Sequence, residues 1–243
     1  MVLSKLVNKE GNSELTVEAD DSLEWFEKEK YYVAKGNVVL KKDGLVLKAN
    51  MIKADYLIED DENVLNRIIA KEKVIITKAE VKATGQNISY DIKTKITIMS
   101  GSFQTFSSPS GYIESNKFIK LDNLKNEAVA EGSVKILLSN QTIIYADYVK
   151  ADFTGKSKSL KKAFAKGNVI IENNQKGTKS IADFAIYNSL DEIIKLNGNV
   201  IIVNQDSTLK GSKGMTNLKT GISNIIGDPS KKRRVKGVFS PRK

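Results

Sequence analysis

The sequence predicts an all-β protein built from a short structural repeat. Three observations support this fold class: a motif that recurs along the chain, apolar residues that alternate with a period of two after it, and very little helical periodicity. Residues 23–28 are the only candidate for a helical turn. We therefore expect strands to hold more than half of the residues and helices less than one-tenth.

The recurring motif is a glycine, usually followed by asparagine, that stands directly before an apolar run. Its clear copies are centred on four glycines, with intervals of 35 and 31 residues between the last three: Gly36, Gly132, Gly167 and Gly198. Degenerate copies at residues 68–79 and 96–107 fill the long first interval, although they lack the Gly-Asn pair. Gly and Asn both tolerate positive φ, so the motif predicts a tight turn at the start of a strand.

Alternating side chains after each glycine predict one apolar face. Period two places the residues two and four positions beyond each turn on the same side of a sheet. The stripe predicted to point inward consists of Val38, Leu40, Val74, Ile76, Val134, Ile136, Val169, Ile171, Val200 and Ile202. A second motif, a small residue followed by a polar one, alternates with the first. This gives two strands per unit of about 30–36 residues, and about 12–16 strands in all.

The polar position of the second motif is often an aspartate, at Asp20, Asp55, Asp147 and Asp183. Their recurrence at one place in successive repeats favours a turn or edge position over a metal site. No pair of acidic residues shows the contrasting environments that acid/base catalysis uses, and the sequence has no glycine-rich phosphate loop. We expect no catalytic site, no metal and no cofactor.

The composition argues against most enzyme classes. The 243 residues include no Cys and no His, which excludes thiol nucleophiles, Cys/His zinc sites and His-dependent triads. The formal net charge is +10, mostly from lysine, and such a surface attracts phosphates, nucleic acid or acidic lipid. The basic run at residues 231–234 resembles a nucleic-acid patch. We interpret it as a solvated turn, because no stacking aromatics are interleaved with the basic residues.

Six stretches carry a family resemblance and span residues 15–241. They are LTVEADDSLEWFEKEKYYVAKGNVVL, LKANMIKADYL, ATGQNISYD, AFAKGNVII, LKGSKGMTNLKTG and the terminal VKGVFSPRK. In this order, closing on V-x-G-x-F-x-P, they resemble the LptA/OstA family, the periplasmic bridge proteins of lipopolysaccharide transport, in its long alphaproteobacterial form. The resemblance implies an elongated, twisted, open β-jellyroll, with two antiparallel sheets that face each other around an apolar interior. We assign residues 1–14 to a flexible N-terminus, residues 15–227 to the jellyroll and residues 228–243 to a basic C-terminal tail.

In this family, the interior shelters the acyl chains of lipopolysaccharide. The resemblance therefore implies that the ten stripe residues form a lipid groove for lipid A. It also implies that the chain is a non-enzymatic bridge in the periplasm, its signal peptide having been removed. Six phenylalanines are further candidates for acyl contacts, although we expect most of them in the sandwich core: Phe103, Phe106, Phe118, Phe153, Phe164 and Phe184. Trp25, the single tryptophan, either caps the core or helps to seat a partner.

Family members join end to end and dock onto similar jellyrolls of an inner-membrane and an outer-membrane partner. Residues 14–18 and 221–226 are fair strand formers without proline, so we expect them to be unprotected edges that pair with another jellyroll. The predicted assembly positions are Leu15, Val17, Gly221, Ser223 and Ile225. Head-to-tail self-association follows from this arrangement, and no nucleic acid is expected as a partner.

Two alternatives stay open at this level. A structural β-solenoid filament or adhesin would use the same repeat around a closed core. The chain could also be the periplasmic jellyroll of the inner-membrane or the outer-membrane partner. A nucleic-acid binder has only the net charge in its favour.

Overall fold

Strands make up most of the molecule in the computed structural model, which describes residues 15–109, 111–154, 159–175, 177–228 and 234–239. No helix occurs within these ranges, and hence none that is long and apolar enough to cross a membrane. The strands are β1 Thr16–Glu18, β2 Ser22–Phe26, β3 Tyr31–Lys42, β4 Leu45–Glu59, β5 Glu62–Lys78, β6 Val81–Asp91, β7 Ile96–Ser100, β8 Gln104–Ser108, β9 Gly111–Ser115, β10 Phe118–Asp122, β11 Glu127–Leu138, β12 Thr142–Phe153, β13 Leu160–Asn173, β14 Thr178–Asn188, β15 Ile193–Asn204, β16 Ser207–Asn217, β17 Ser223–Ile226 and β18 Lys236–Phe239. The predicted all-β class is confirmed.

The chain divides into two compact units, Met1–Glu127 and Ala128–Lys243. In the first unit, β3, β4, β5 and β6 pair in sequence order, always antiparallel, and the short strands β1 and β2 lie end to end along β3. In the second unit, β12 to β16 pair in the same way, and β17 and β18 lie end to end along β16. Each unit therefore has one edge made of two short strands.

Five of the six copies of the motif, all except the degenerate copy at residues 96–107, form a corner inside a long strand. Two consecutive residues adopt positive φ there, and the register slips by one residue against the neighbouring strand. The corners lie at residues 36–37, 72–73, 132–133, 167–168 and 198–199. The second of these is Glu72 and Lys73, so the degenerate copy at residues 68–79 keeps the geometry without a glycine. An extra residue of this kind bends a strand sharply.

At three of the five corners, the corner asparagine donates a hydrogen bond to an aspartate of the neighbouring segment. Asn168 donates its side-chain N–H to Asp147 at 2.8 Å, and Asn199 donates to Asp183 at 2.9 Å. Asn37 makes the same bond to Asp20, at 2.8 Å. These three aspartates thus occupy the turn position that the second motif predicts. Asp55 does not, since it lies away from any corner and pairs with Lys53 at 2.7 Å.

The spacing of the buried positions across a corner differs between the strand that carries the corner and the strand beside it. On β12, the buried positions are Thr142, Ile144 and Ala146 before the corner and Val149 and Ala151 after it, a step of three residues. On β13, Ala165 and Val169 are separated by four residues, because this strand carries the additional corner residue. Both halves of a bent strand therefore face the same interior.

Three expectations about the elements need correction. Residues 23–28 contain the end of strand β2 followed by a turn, and no helix. The described residues hold eighteen strands, more than the expected 12–16. The copy at residues 96–107 breaks into short strands that continue to β10, and each end of the chain adds two edge strands. Strand β18 lies within the segment predicted to be a tail and pairs with Ser207–Lys210.

The phenylalanines are also less buried than expected for a sandwich core. Phe103 and Phe184 are exposed, and the other four, Phe106, Phe118, Phe153 and Phe164, are half-buried. Of the remaining sequence predictions, residues 1–14 and the basic residues 231–233 lie outside the described residues, while Arg234 is exposed.

Candidate functional site

The stripe predicted to point inward is largely a packed interior. Nine of its side chains are no more than 5% exposed, and the tenth, Ile136, is half-buried. Val38, Leu40, Val74 and Ile76 belong to the first unit and the other six to the second. At these positions, other side chains fill the space on the inner side of the sheet.

Alanines on the opposite side of four of the five corners complete this interior, and the stripe prediction did not include them. Ala34, Ala70, Ala130 and Ala165 each stand two residues before a corner, and all four are buried. The signal was present in the repeat, because the sequences VAKGN, IAKEK, VAEGS and FAKGN share this alanine. An alanine facing a branched residue lets the two halves of a bent strand approach closely.

The first unit contains an apolar cavity of about 460 Å³ beside its edge strands. This volume lies within the range of roughly 300–1,000 Å³ that is typical of ligand pockets. Its lining joins the edge to the buried interior: Leu15, Val17, Leu23, Glu24, Trp25, Tyr32, Val33, Ala34, Leu40, Ile52, Ala54, Tyr56, Asn63, Leu65 and Ile68. Three predicted site residues meet here, namely Leu40 from the stripe and Leu15 and Val17 from the edge.

Three aromatic residues form one wall of the cavity. The rings of Trp25 and Tyr32 stack with 6.0 Å between centroids, and those of Tyr32 and Tyr56 lie 5.1 Å apart. The polar atoms of this wall bond to one another: Trp25 Nε1 donates to the Tyr56 hydroxyl at 2.9 Å, and Asn63 donates to the Tyr32 hydroxyl at 3.0 Å. The wall therefore presents mainly ring carbon to the cavity.

The hairpin of β4 and β5 supplies the last part of the lining. Its residues 56–65 extend past Asp55 and Arg67, the last positions that pair with β3 and β6. The register shifts at the base of this extension, between Asp55 and Tyr56. Tyr56, Asn63 and Leu65 reach the cavity from the extension. Its tip carries four acidic residues, 59–62, which stay outside the cavity lining.

Glu24 is the one ionisable carboxyl group in the lining. It accepts hydrogen bonds from the Ser22 hydroxyl at 2.6 Å and from Lys35 Nζ at 2.9 Å. These two hydrogen bonds hold the pKa of the Glu24 carboxyl below its usual value, and the bond from Ser22 has the larger effect. Because Lys35 balances the charge of Glu24, the cavity carries little net charge of its own.

The predicted assembly residues of the second unit lie at and near its edge. Ser223 and Ile225 belong to β17, and both are half-buried, whereas Gly221 lies in the preceding turn with a φ of 74°. Asn217 N–H donates to the carbonyl of Ile222 at 2.9 Å, so the next pair, Thr216 and Ser223, is a pair without backbone hydrogen bonds. The N–H of Ser223 consequently points away from β16.

The described residues hold no group of three or more acidic side chains that could bind a metal ion. The chemistry available at the cavity is therefore burial of apolar surface, with a few neutral hydrogen-bonding groups at its rim.

Comparison with known families agrees with this description. The model of a family described as LptA/(LptD N-terminal domain) LPS transport protein matches residues 16–108 and 112–222, well over half of the chain. The chain belongs to this family. LPS here stands for lipopolysaccharide, so membership in this LPS transport family confirms the resemblance seen in the sequence.

Among solved structures, the chain is similar to LptH of Pseudomonas aeruginosa, described as the LptA-homologous periplasmic component of the lipopolysaccharide transport device. The two are 16% identical, with a TM-score of 0.44 over 61% of this chain and 97% of LptH. No curated protein has a sequence that matches this chain.

Proposed function

We propose that this member of the LPS transport family shelters acyl chains of lipopolysaccharide in its apolar interior and passes the lipid along a periplasmic bridge. The observation that carries the proposal is the cavity, whose lining is almost wholly apolar and includes the buried stripe residue Leu40. Burial of apolar surface contributes roughly 25 cal/mol per Å², so acyl chains gain enough by entering to leave water.

The lining suits transfer better than permanent storage. Its aliphatic side chains are interchangeable, and the polar atoms of Trp25, Tyr32 and Tyr56 are engaged within the wall or with Asn63. Contacts of this kind are non-directional. An acyl chain can therefore slide along the lining without breaking specific hydrogen bonds.

On this proposal, the cavity is the entrance, and the packed stripe residues of the same unit, Val38, Leu40, Val74 and Ile76, continue the lipid path. The stripe side chains are closed around each other, so the two halves of each bent strand must part for lipid to advance. The family resemblance implies an open β-jellyroll, and parting of the two halves would open the closed stripe in that way. The closed stripe also favours one alternative, a structural role around a permanent core, and the experiment below separates the two.

We further propose that the edges join protomers and partner jellyrolls of the inner and outer membranes by strand pairing. The outward N–H of Ser223 is a donor available to an incoming strand, and β1 and β2 offer a short edge in the other unit. Such a contact is heterologous and gives rods rather than rings.

A photocrosslinker placed in the cavity tests the central claim. Leu23 lines the cavity and is 64% exposed, so p-benzoylphenylalanine at this position should capture lipopolysaccharide without disturbing the fold. Leu57 is the matched control, because it is also an exposed leucine on a strand but does not line the cavity. Lys135, half-buried on β11, serves as a second control.

Probes at Val38 and Val74 extend the test to the packed stripe. Capture at these positions as well as at Leu23 would show that lipid travels beyond the entrance. Capture at Leu23 alone would restrict binding to the cavity and refute the path. Equal labelling at Leu23 and Leu57 would refute the claim that lipopolysaccharide binds in the cavity.

A further inference from the structure

The second unit carries a mixed apolar and basic patch on the outer side of its sheet. Two cross-strand rows define this outer patch. The first runs Phe164, Ile186, Lys195 and Met215, and the second runs Lys166, Phe184, Asn197, Lys213 and Ile226. Neighbours in such a row lie about 5 Å apart, so each lysine adjoins a large apolar side chain or is one residue away from it.

These side chains point away from the interior. Their neighbours along the strands, Ala165, Ala185, Leu196 and Gly214, are buried on the opposite side. Phe184, Ile186, Met215 and Ile226 are 36–57% exposed, and Lys166, Lys195 and Lys213 are exposed. The outer patch therefore lies on the opposite side of the sheet from the stripe residues of the second unit.

The outer patch also contains a depression in the protein surface. A second cavity, of about 320 Å³, is lined by Phe164, Phe184, Ala185, Ile186, Lys195, Leu196 and Asn197. The Phe164 and Phe184 rings stack at its floor with 6.3 Å between centroids. An apolar floor with an ammonium group at its rim fits a molecule that is apolar on one side and anionic on the other.

We propose that the outer patch docks onto the surface of an anionic lipid bilayer. Lysines interleaved with aromatic and aliphatic side chains match both layers of such a surface. The ammonium groups reach the phosphates, while Phe184, Ile186 and Ile226 enter the boundary of the acyl region. The two rows contain no acidic residue, and the corner carboxylates nearby, Asp147 and Asp183, are bonded to Asn168 and Asn199.

Charge favours lipid over a protein as the occupant. Three exposed lysines within two rows form a dense positive field, in a chain whose formal net charge is +10. Membrane docking goes beyond the proposed function, because sheltering acyl chains in the cavity requires no bilayer contact. It would place the second unit against a membrane while the first unit handles lipid.

Vesicle co-sedimentation of the full chain tests the inference. Vesicles of phosphatidylcholine with about one-third phosphatidylglycerol should bind the wild type, and vesicles of pure phosphatidylcholine should bind it far more weakly. Binding should weaken as salt rises, since exposed charges are screened within about 10 Å at 0.1 M. The variant Lys195→Glu with Lys213→Glu should lose roughly tenfold or more in vesicle affinity.

The matched control is Lys48→Glu with Lys82→Glu, which makes the same charge change at exposed positions of the first unit. It should keep near wild-type affinity. Equal losses in the two double variants would mean that net charge alone drives binding, and the outer patch would be refuted.

An apolar variant and a fluorescent reporter complete the test. Phe184→Ser should also weaken binding, and Phe184→Trp in a Trp25→Phe background should shift to the blue on anionic vesicles. Ile75→Trp, at a 37% exposed position of the first unit, should not shift. Wild type that stays in the supernatant at every salt concentration overturns the proposal and leaves a protein as the occupant. Loss of vesicle binding with crosslinking at Leu23 intact would separate this inference from the proposed function.

Discussion

Replacing Gly198 with alanine tests whether the corners hold the fold as the structure indicates. Gly198 has a φ of 78°, where an L-residue costs roughly 1–2 kcal/mol. A Cβ at this position would overlap the Asp183 carboxylate and lie 2.8 Å from Asp183 Cγ and 2.9 Å from Asp183 Cβ. The clash therefore reaches the root of that side chain, which cannot simply rotate away.

Two costs add to the backbone strain. If Asp183 moves, its hydrogen bond with Asn199 is lost, at about 1 kcal/mol. The remaining overlap with Asp183 Cβ forces a backbone shift of the kind that costs roughly 1–3 kcal/mol when a packed site is overfilled. We expect the free energy of unfolding to fall by about 3–6 kcal/mol in total.

Gly221→Ala is the matched control for this prediction. Gly221 has a similar φ of 74°, but a Cβ there meets nothing within 4 Å. The free energy of unfolding of Gly221→Ala should therefore fall only by the cost of the backbone conformation, about 1–2 kcal/mol. Urea unfolding followed by circular dichroism measures both, and the difference of about 2–4 kcal/mol corresponds to a melting temperature lower by about 4–16 °C for Gly198→Ala.

A double-mutant cycle with Asp183→Gly isolates the clash itself. The double variant should be less destabilised than the sum of the two single variants by about 2–4 kcal/mol, because the overlapping atoms are gone and the hydrogen bond to Asn199 is lost only once. Strict additivity, or a Gly198→Ala variant no less stable than Gly221→Ala, would refute the account of the corner.

Three further predictions follow from the packing, the edge and the titrating groups. Ile76→Ala should cost about 2–5 kcal/mol of unfolding free energy because Ile76 is buried, whereas Ile75→Ala, on the outer side, should cost much less; equal losses would contradict the inward stripe. Ser223→Pro removes an outward N–H, so the variant should stay folded but lose the concentration-dependent mass that light scattering should show for the wild type. Burial, and then the hydrogen bond to Glu114, raises the pKa of Tyr112 to about 12. The unfolded chain therefore releases this proton first, and stability should fall as the pH rises from about 10 to about 12. Tyr112→Phe should flatten that fall in alkaline unfolding curves, and an unchanged slope would show that Tyr112 does not contribute.

The regular part of the fold was predictable because its signals are local. Alternation over four or five residues defines a strand face, and the Gly-Asn pair marks the corner before it. That is why the buried positions around Val169 and Val200 follow from the motif alone. The corner at Glu72 and Lys73 could be placed only by spacing, since neither residue type signals positive φ.

The cavity was not predictable because its signals are distant in sequence. Trp25 and Tyr56 are 31 residues apart and meet through a single hydrogen bond, and Asn63 reaches Tyr32 over the same separation. Neither contact produces a recognisable pattern in the composition or the periodicity of the sequence. The prediction of a helical turn at residues 23–28 was wrong. Strand β2 ends at Phe26, and the charged residues after it form a turn whose sequence resembles the exposed side of a helix.

The position of the cavity follows from how the strands of a repeat cover one another. In the middle of a run of strands, each bent strand is covered by the next, so the inner face is filled by side chains from both neighbours. At the end of the run no further long strand follows, and β1 and β2 together cover β3 only with short segments. Space for a ligand therefore opens where the repeat stops, beside the two short edge strands. If the proposed strand pairing occurs there, an added jellyroll would both extend the sheet and lengthen the cavity, so that assembly and the continuity of the lipid path would depend on one contact. Lipopolysaccharide loaded into one unlabelled molecule should then become crosslinked at position 23 of an added second jellyroll only when the edges of the two molecules are intact, and transfer that survives edge-blocking substitutions would disprove this coupling.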